Sequence, residues 1–207
     1  MLNPEIFRQY DIRGVAGKDM TEEDVKLIGQ GIGSYLAGQG NTYVAVGRDC
    51  RETADSYSAQ LISGLTSTGC RVVDIGMCPT PVGYFAIRHL KTHGCVMVTA
   101  SHNPPEYNGF KICSGVDSVY GEQIQQIRKM IDEKDFRKGR GSVESYEILP
   151  AYIDYILDNI NLECPLRVGV DGGNGTDLAR YDRDGGSQGV VVDLVDGTAI
   201  DSHGDTD

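Results

Sequence analysis

Residues 99–112, T-A-S-H-N-P-P-E-Y-N-G-F-K-I, decide how the rest of this chain is arranged. They begin at the end of an apolar run, Gly94 to Thr99, which has the length that one buried strand needs. A proline pair and an Asn-Gly pair within the stretch then interrupt regular structure twice. We therefore expect Ser101 and His102 on a loop at the carboxyl end of a parallel strand, where open α/β sheets bind ligands.

The side chains of this loop suit a phosphoryl group held on a serine. Ser101 offers an exposed hydroxyl oxygen, His102 an adjacent imidazole, and Lys111 an ammonium on the returning segment. The alternative is a polar turn without chemistry, because serine, asparagine and proline are ordinary turn residues. That alternative accounts for any one of these residues, but less well for the whole string.

A second segment, Ile6 to Gly14, reads I-F-R-Q-Y-D-I-R-G and would pass on its own for an edge strand and a turn. Together the two segments resemble the α-D-phosphohexomutases, in the forms F-R-x-Y-D-I-R-G and T-A-S-H-N-P-x-x-Y-N-G-x-K of the bacterial phosphomannomutase/phosphoglucomutase type. The resemblance covers residues 6–175, the N-terminal portion of that family.

The resemblance implies an enzyme that moves a phosphoryl group between the 1- and 6-positions of a hexose through a bisphosphorylated sugar. It implies that Ser101 carries the phosphoryl group, while Lys111 clamps it and assists proton transfer to or from the sugar hydroxyl. His102 is expected to shape the loop and bind phosphate, and a role as general base is the alternative for it. The implied partners are a hexose phosphate and a hexose 1,6-bisphosphate.

Three further residues are expected to bind phosphate. Arg13 matches the family arginine that contacts the phosphoserine, a role that its planar guanidinium suits. Tyr10 matches a neighbouring active-site tyrosine, and Asn103 is expected to shape the loop and bind phosphate.

The family also implies Mg²⁺, held by the phosphate on Ser101 and by the aspartates of a D-G-D-x-D-R loop. That loop has no counterpart in this sequence, and Asp182-Arg183-Asp184 has the wrong order and lies too early. The sugar-selecting G-E-x-S-G-H segment and the C-terminal phosphate-binding loop are also missing. We therefore expect a truncated chain of doubtful activity. The sequence does not identify its preferred hexose, because the sugar-selecting segment is missing.

Strands and helices alternate up to the serine loop, which predicts a three-layer α/β/α domain with a mostly parallel sheet. Thr21 is expected to cap a first helix that ends before Gly40. Thr80 is expected to cap a later helix whose first residue is a proline. A strand is predicted over residues 43–47, and in the turn after it Arg48 and Asp49 match the family's G-R-D-x-R pattern. We expect them to form structural ion pairs.

Beyond the loop, a helix is predicted from 119 to 134, a charged connector from 135 to 145 and a bridging helix from 148 to 160. We assign residues 1–147 to the first domain, and 148–207 to a linker helix and an incomplete second α/β unit. Its first strand is Leu166 to Asp171, followed by the glycine run 172–175, for which a nucleotide site is the weaker alternative. From 176 to 189 we expect an irregular or poorly ordered loop, followed by a strand over 190–195.

Composition excludes several classes of protein. A net charge of −11 argues against a nucleic-acid binder, which needs a basic face. No apolar stretch is long enough to span a membrane, and residues 1–5 do not begin a signal peptide. The six cysteines lack C-x-x-C spacing, which favours buried reduced thiols in a cytoplasmic protein over a zinc site.

A second class of function stays open on the sequence alone. The chain would then be a non-catalytic α/β module, derived from the mutase N-terminal domain, that binds phosphosugars or a partner chain. Self-association and missing C-terminal domains are both consistent with the sequence.

Overall fold

The fold is taken from a computed structural model, which describes residues 2–161 and the backbone of the strands at 178–182, 189–193 and 198–200. The chain divides into two compact units, Met1–Ile160 and Asn161–Asp207. The helix predicted over 148–160 therefore lies in the first unit. The assignment of 148–207 to an incomplete second domain stays a prediction.

The first unit begins with a short 3-10 helix at Pro4–Ile6 and then alternates strands with helices. The helices are α1 (Glu22–Gly38), α2 (Ala54–Ser67), α3 (Thr80–His89), α4 (Glu122–Asp132) and α5 (Leu149–Asn159). The strands are β1 (Ile12–Val15), β2 (Tyr43–Arg48), β3 (Arg71–Met77), β4 (Gly94–Val98), β5 (Tyr107–Ser114), β6 (Asp117–Ser118) and β7 (Ser142–Ser145).

These strands form one sheet in the order β1-β5-β4-β2-β3-β7, with β6 paired to β5. The pairs β2/β3, β2/β4 and β3/β7 are parallel. The strand β5 pairs antiparallel with β1, β4 and β6, so it alone in this sheet runs against the others. The predicted mostly parallel sheet is confirmed, with the serine loop as the turn that reverses the chain between β4 and β5.

Helices cover both faces of the sheet, which confirms the three-layer architecture. On one face α1, α2 and α4 bury a cluster that includes Ile28, Leu61 and Ile127. On the other face α3 packs Val82 and Ala86 against the sheet in a second cluster. The central strand β4 is buried along its whole length, because it lies between these two layers.

The observed ends of three helices can be compared with the predicted ones. Thr21 caps α1 as predicted, in a reciprocal capping box with Asp24. The predicted cap at Thr80 is wrong: Pro79 is the N-cap and Thr80 is already helical. The helix predicted over 119–134 is shorter in the structure, because Gly121 (φ +56°) and Lys134 (φ +53°) adopt left-handed backbone conformations beside its ends.

Two sequence predictions for the connecting segments are corrected. The connector at 135–145 contains β7, which pairs with β3 at the sheet edge although all four of its residues are exposed. The loop predicted over 176–189 contains β8 (Leu178–Asp182), which pairs antiparallel with β9 (Gly189–Asp193). The valines at 190–192 favour such pairing, which the sparse apolar residues of 178–182 do not reveal on their own.

In the second unit β10 (Thr198–Ile200) also pairs antiparallel with β9, giving the order β10-β9-β8. The structure confirms the predicted strand at 190–195 for Val190 to Asp193. The predicted strand at 166–171 and the glycine run at 172–175 lie outside the described residues.

Candidate functional site

The serine loop leaves the carboxyl end of β4 in a tight turn. Ser101 is exposed and has a φ of +57°, a left-handed conformation that costs a non-glycine residue roughly 1–2 kcal/mol. Its backbone N–H donates to Thr99 Oγ1 over 2.9 Å. The backbone N–H and the Nδ2 of Asn103 donate to the carbonyl of Ala100 over 3.2 and 2.8 Å. The loop thus places the Ser101 side chain at the surface on a strained backbone that its neighbours hold.

Of the two other loop residues that the sequence singled out, Asn103 bonds to the loop backbone and His102 is exposed. Asn103 turns its amide back to Ala100, so it shapes the loop in the way the sequence predicts. His102 is exposed beside Ser101. The roles of both residues in binding phosphate, and the alternative role of His102 as a base, stay predictions.

Arg51 contacts this loop more extensively than any residue that the sequence singled out. Its Nη1 donates to the carbonyls of Pro104 (2.7 Å) and Tyr107 (3.0 Å). Its Nη2 donates to the carbonyls of Ser101 (3.0 Å) and Asn103 (2.8 Å). Arg51 is the second arginine of the G-R-D-x-R pattern, and its place in that pattern is the sequence signal that points to it.

The other charged residues of that pattern form ion pairs, although not with each other. Arg48 pairs with Asp55 and, over 3.2 Å, with Asp74. Asp49 pairs with Arg51 over 3.1 Å. The predicted structural role of Arg48 and Asp49 therefore holds, with partners that the sequence did not identify.

The two predicted cationic clamps, Arg13 and Lys111, meet on Asp11. The Arg13 guanidinium pairs with Asp11 Oδ2, and Lys111 Nζ lies 3.8 Å from the same oxygen. The Asp11 side chain is only 7% exposed, so the two cations share a nearly buried anion. Their predicted convergence on the Ser101 oxygen stays a prediction, because in this structure they converge on Asp11.

Sheet register brings these cations together. Arg13 on β1 lies opposite Gly109 on β5, and Lys111 follows two residues later on the same face. A Cβ at Gly109 would lie 2.2 Å from the carbonyl oxygen of Ile12 and 3.2 Å from the Arg13 Cβ, so glycine is required there. Among the described residues, the Nε of Arg13 is buried without a hydrogen-bond partner. Arg13 and Lys111 thus place two positive charges around one carboxylate, which leaves a net positive charge at this site.

A cleft of about 340 Å³ adjoins Lys111. Its lining includes Tyr10, Tyr84, Ser118 and Tyr120. The Tyr10 side chain is 72% exposed, so its hydroxyl and ring are open to a ligand. The structure thus brings two predicted site residues, Tyr10 and Lys111, to one cleft.

The described residues offer no ready metal site and no activated thiol. Within the parts of the chain that the structure describes, no three His, Cys, Asp or Glu side chains could together hold a metal ion. Cys70, Cys78, Cys95 and Cys113 are buried and form no disulfide, as predicted. Cys50 is also free but lies exposed in the turn after β2, so the prediction of a buried thiol is wrong for it. Burial raises the pKa of Cys78 to about 11 and that of Cys95 well above its ordinary value, so these thiols stay protonated.

Comparisons with known proteins agree with this geometry. Residues 4–138 match the family described as phosphoglucomutase/phosphomannomutase, alpha/beta/alpha domain I. A phosphomannomutase/phosphoglucomutase from Pseudomonas aeruginosa is 48% identical over 174 residues, which are 84% of this chain and 38% of that protein. A phosphoglucomutase from Neisseria meningitidis is 39% identical over 173 residues, 83% of this chain and 38% of that protein.

A solved structure is also similar. The crystal structure of a phosphoglucomutase/phosphomannomutase family protein from Burkholderia thailandensis matches with a TM-score of 0.76 and 41% identity. The match covers 80% of this chain and 38% of the other. The chain thus spans well under half of the length of these relatives.

Proposed function

Because this chain belongs to the phosphoglucomutase/phosphomannomutase family, we propose that it carries the phosphoserine site of a phosphohexomutase. Ser101 is the proposed carrier, and hexose phosphates and a hexose 1,6-bisphosphate are the proposed substrates. The observation that carries the proposal is the exposed Ser101 at the carboxyl end of β4, on a loop that hydrogen bonds to Thr99 and Arg51 hold in place.

The proposed reaction transfers a phosphoryl group from a bisphosphorylated hexose to the serine. Ser101 Oγ attacks the phosphorus, the bond from phosphorus to the sugar oxygen breaks, and the bond to Oγ forms. In net terms the proton of the Ser101 hydroxyl goes to the sugar oxygen, and Lys111 is the group proposed to pass it. In the opposite direction, phosphorylated Ser101 gives its group to the free hydroxyl of a hexose monophosphate and regenerates the bisphosphate. Transfer of the other phosphoryl group of that bisphosphate to Ser101 then exchanges the 1- and 6-positions.

Arg13, Lys111 and Tyr10 support this chemistry by position and charge. Two cations near a phosphoryl group stabilise its negative charge in the transition state, which is the main task in phosphoryl transfer. Tyr10 lines the same cleft as Lys111 and is proposed to bind phosphate there.

The family resemblance also implies Mg²⁺, with the phosphate on Ser101 as one ligand. The residues that the structure describes do not fit the ion by themselves: they include no cluster of three ligating side chains, and Asp11 already pairs with two cations. We therefore assign no step of the proposed transfer to a metal. In the described part of the chain no helix is long and apolar enough to cross a membrane, and we propose a cytoplasmic location.

Phosphate mapping tests the proposal. We expect incubation with glucose 1,6-bisphosphate to add one phosphate, which mass spectrometry locates on Ser101, and we expect Ser101→Ala to remain unlabelled. Ser142→Ala is the control, since Ser142 is an exposed serine on the edge strand β7 and should not affect labelling. Phosphate on a different serine, or labelling of Ser101→Ala, would contradict the assignment. Binding of the bisphosphate without any transfer would support the non-catalytic module instead.

A further inference from the structure

Arg51 uses every nitrogen of its guanidinium on fixed acceptors. Nη1 and Nη2 each donate to two carbonyl oxygens of the serine loop over 2.7–3.0 Å. Nε donates to Asp49 Oδ2 over 3.1 Å. The side chain is only 10% exposed, so little water competes for these bonds. A planar fork with five donors can span four carbonyls in this way, whereas the single nitrogen of a lysine cannot.

The arginine is itself fastened to the strand from which the loop departs. Its backbone N–H donates to Asp49 Oδ1 over 3.1 Å. The backbone N–H of Asp49 donates to the carbonyl of Val98, the last residue of β4, over 3.0 Å. The loop is therefore held against the end of its own strand through a short chain of hydrogen bonds.

These contacts act on Ser101 from both sides. Its N–H is held by Thr99 Oγ1 and its carbonyl by Arg51 Nη2, which together maintain the left-handed conformation at φ +57°. The carbonyl oxygens of four loop residues also point at Arg51. Carbonyl oxygens carry partial negative charge, so turning them toward a cation keeps them away from a dianionic phosphate on the serine.

We propose that Arg51 is the positioning residue of the serine loop, and that phosphoryl transfer to Ser101 depends on its guanidinium fork. This inference rests on the proposed function, because the step that it assists is the transfer to Ser101. Arg51 acts through the loop carbonyls and is not assigned a contact with substrate.

Two measurements on Arg51→Ala test the proposal. We expect amide hydrogen exchange over residues 100–107 to rise at least about tenfold, the factor expected for losing a charge-assisted hydrogen bond. We expect the rate of phosphate transfer from glucose 1,6-bisphosphate to Ser101 to fall by at least the same factor. Guanidinium ion added at millimolar concentration should restore part of both, and methylammonium should restore neither.

Arg48→Ala is the matched control. Arg48 comes from the same turn and makes two ion pairs, but its side chain contacts no carbonyl of the loop. We expect its loop exchange and its labelling of Ser101 to remain at wild-type levels. If Arg51→Ala does not fold, Arg51→Lys replaces it in both measurements, because lysine keeps the charge without the planar fork. We expect loop exchange to rise and phosphate transfer to fall in this variant too.

The outcomes separate the two proposals. Wild-type loop exchange in the Arg51 variants would overturn the positioning role, whatever happens at Ser101. Faster loop exchange with unchanged transfer would overturn it as well, because the loop would then not need the clamp. Wild-type protein that takes up no phosphate would overturn the proposed function and this role with it, and the exchange data would then report a structural contact only.

Discussion

Arg51 and Arg13 both lie close to the strands that carry the serine loop, but they use their donors in opposite ways. Arg51 has fixed acceptors on all three nitrogens, four of them neutral carbonyls. Arg13 shares one carboxylate with Lys111, and its Nε is buried without a partner. A guanidinium whose donors all meet fixed acceptors holds structure, whereas one that shares a single carboxylate with a second cation leaves a net positive charge for an anion.

The largest effect is expected at Asp11, which holds the Arg13 site together. Asp11→Asn leaves two nearby cations without their shared anion, and we expect it to lower the free energy of unfolding by about 3 kcal/mol. Inorganic phosphate should restore part of that loss, because it can replace the missing charge. Urea unfolding with and without phosphate measures both effects.

Glu144→Gln is the control for that experiment, since Glu144 pairs with Arg71 at an exposed position on β7. Exposed ion pairs contribute little to stability, so its unfolding midpoint should hardly change. An Asp11→Asn variant as stable as the Glu144→Gln variant would show that the Arg13 site does not depend on Asp11.

A smaller effect should separate the two arginines directly. Phosphate at ten times its dissociation constant should stabilise the wild-type protein by about 1.4 kcal/mol. We expect Arg13→Gln to lose most of this stabilisation, because it removes one of the two cations beside Asp11, and Arg51→Gln to keep it. Thermal unfolding at increasing phosphate concentration is the measurement. The reverse pattern, with phosphate acting through Arg51, would remove the distinction between the two residues.

The smallest effect is expected from the buried thiols, which influence the free energy of unfolding only at alkaline pH. Burial raises the pKa of Cys78 to about 11, whereas an unfolded thiol ionises near about 8.5. The unfolded chain therefore releases protons that the folded chain retains. This contribution to stability is fully present below about pH 8.5 and is lost as the pH rises toward 11.

Unfolding in urea at pH 8 and pH 10 tests this. Cys78→Ala should lose less stability between the two pH values than the wild-type protein, while Cys50→Ala, which alters an exposed cysteine, should lose as much as the wild type. Equal losses in all three proteins would show that the Cys78 thiol does not ionise on unfolding in this range.

Much of the first unit could be predicted from the sequence, because its apolar periodicity and caps are strong local signals. The strand before the serine, the Thr21 cap and the alternation of strands with helices follow from residue type and spacing alone. The edge strand β7 could not be predicted in this way. All four of its residues are exposed, so it joins the sheet through backbone hydrogen bonds that no apolar pattern reveals.

The sequence singled out candidate residues for the site but not the contacts among them. Ser101, Arg13 and Lys111 stood out by their motifs, but Asp11, which lies within one of those motifs, was not assigned a role. Arg51 was missed because its acceptors are backbone carbonyls, which every residue possesses. Contacts of that kind depend on the path of the chain in space and leave no trace in side-chain chemistry.

We propose that the Arg13 and Lys111 pair serves a phosphate on Ser101, and phosphorus NMR can detect that contact. On the protein labelled at Ser101, a pH titration of the phosphoserine resonance gives the pKa of its second ionisation, which is about 6 for an unperturbed phosphoserine. Contact with the two cations should bring that pKa clearly below 6, and Arg13→Gln should move it back. A phosphoserine 101 that titrates at or above 6 in the wild-type protein would contradict the account.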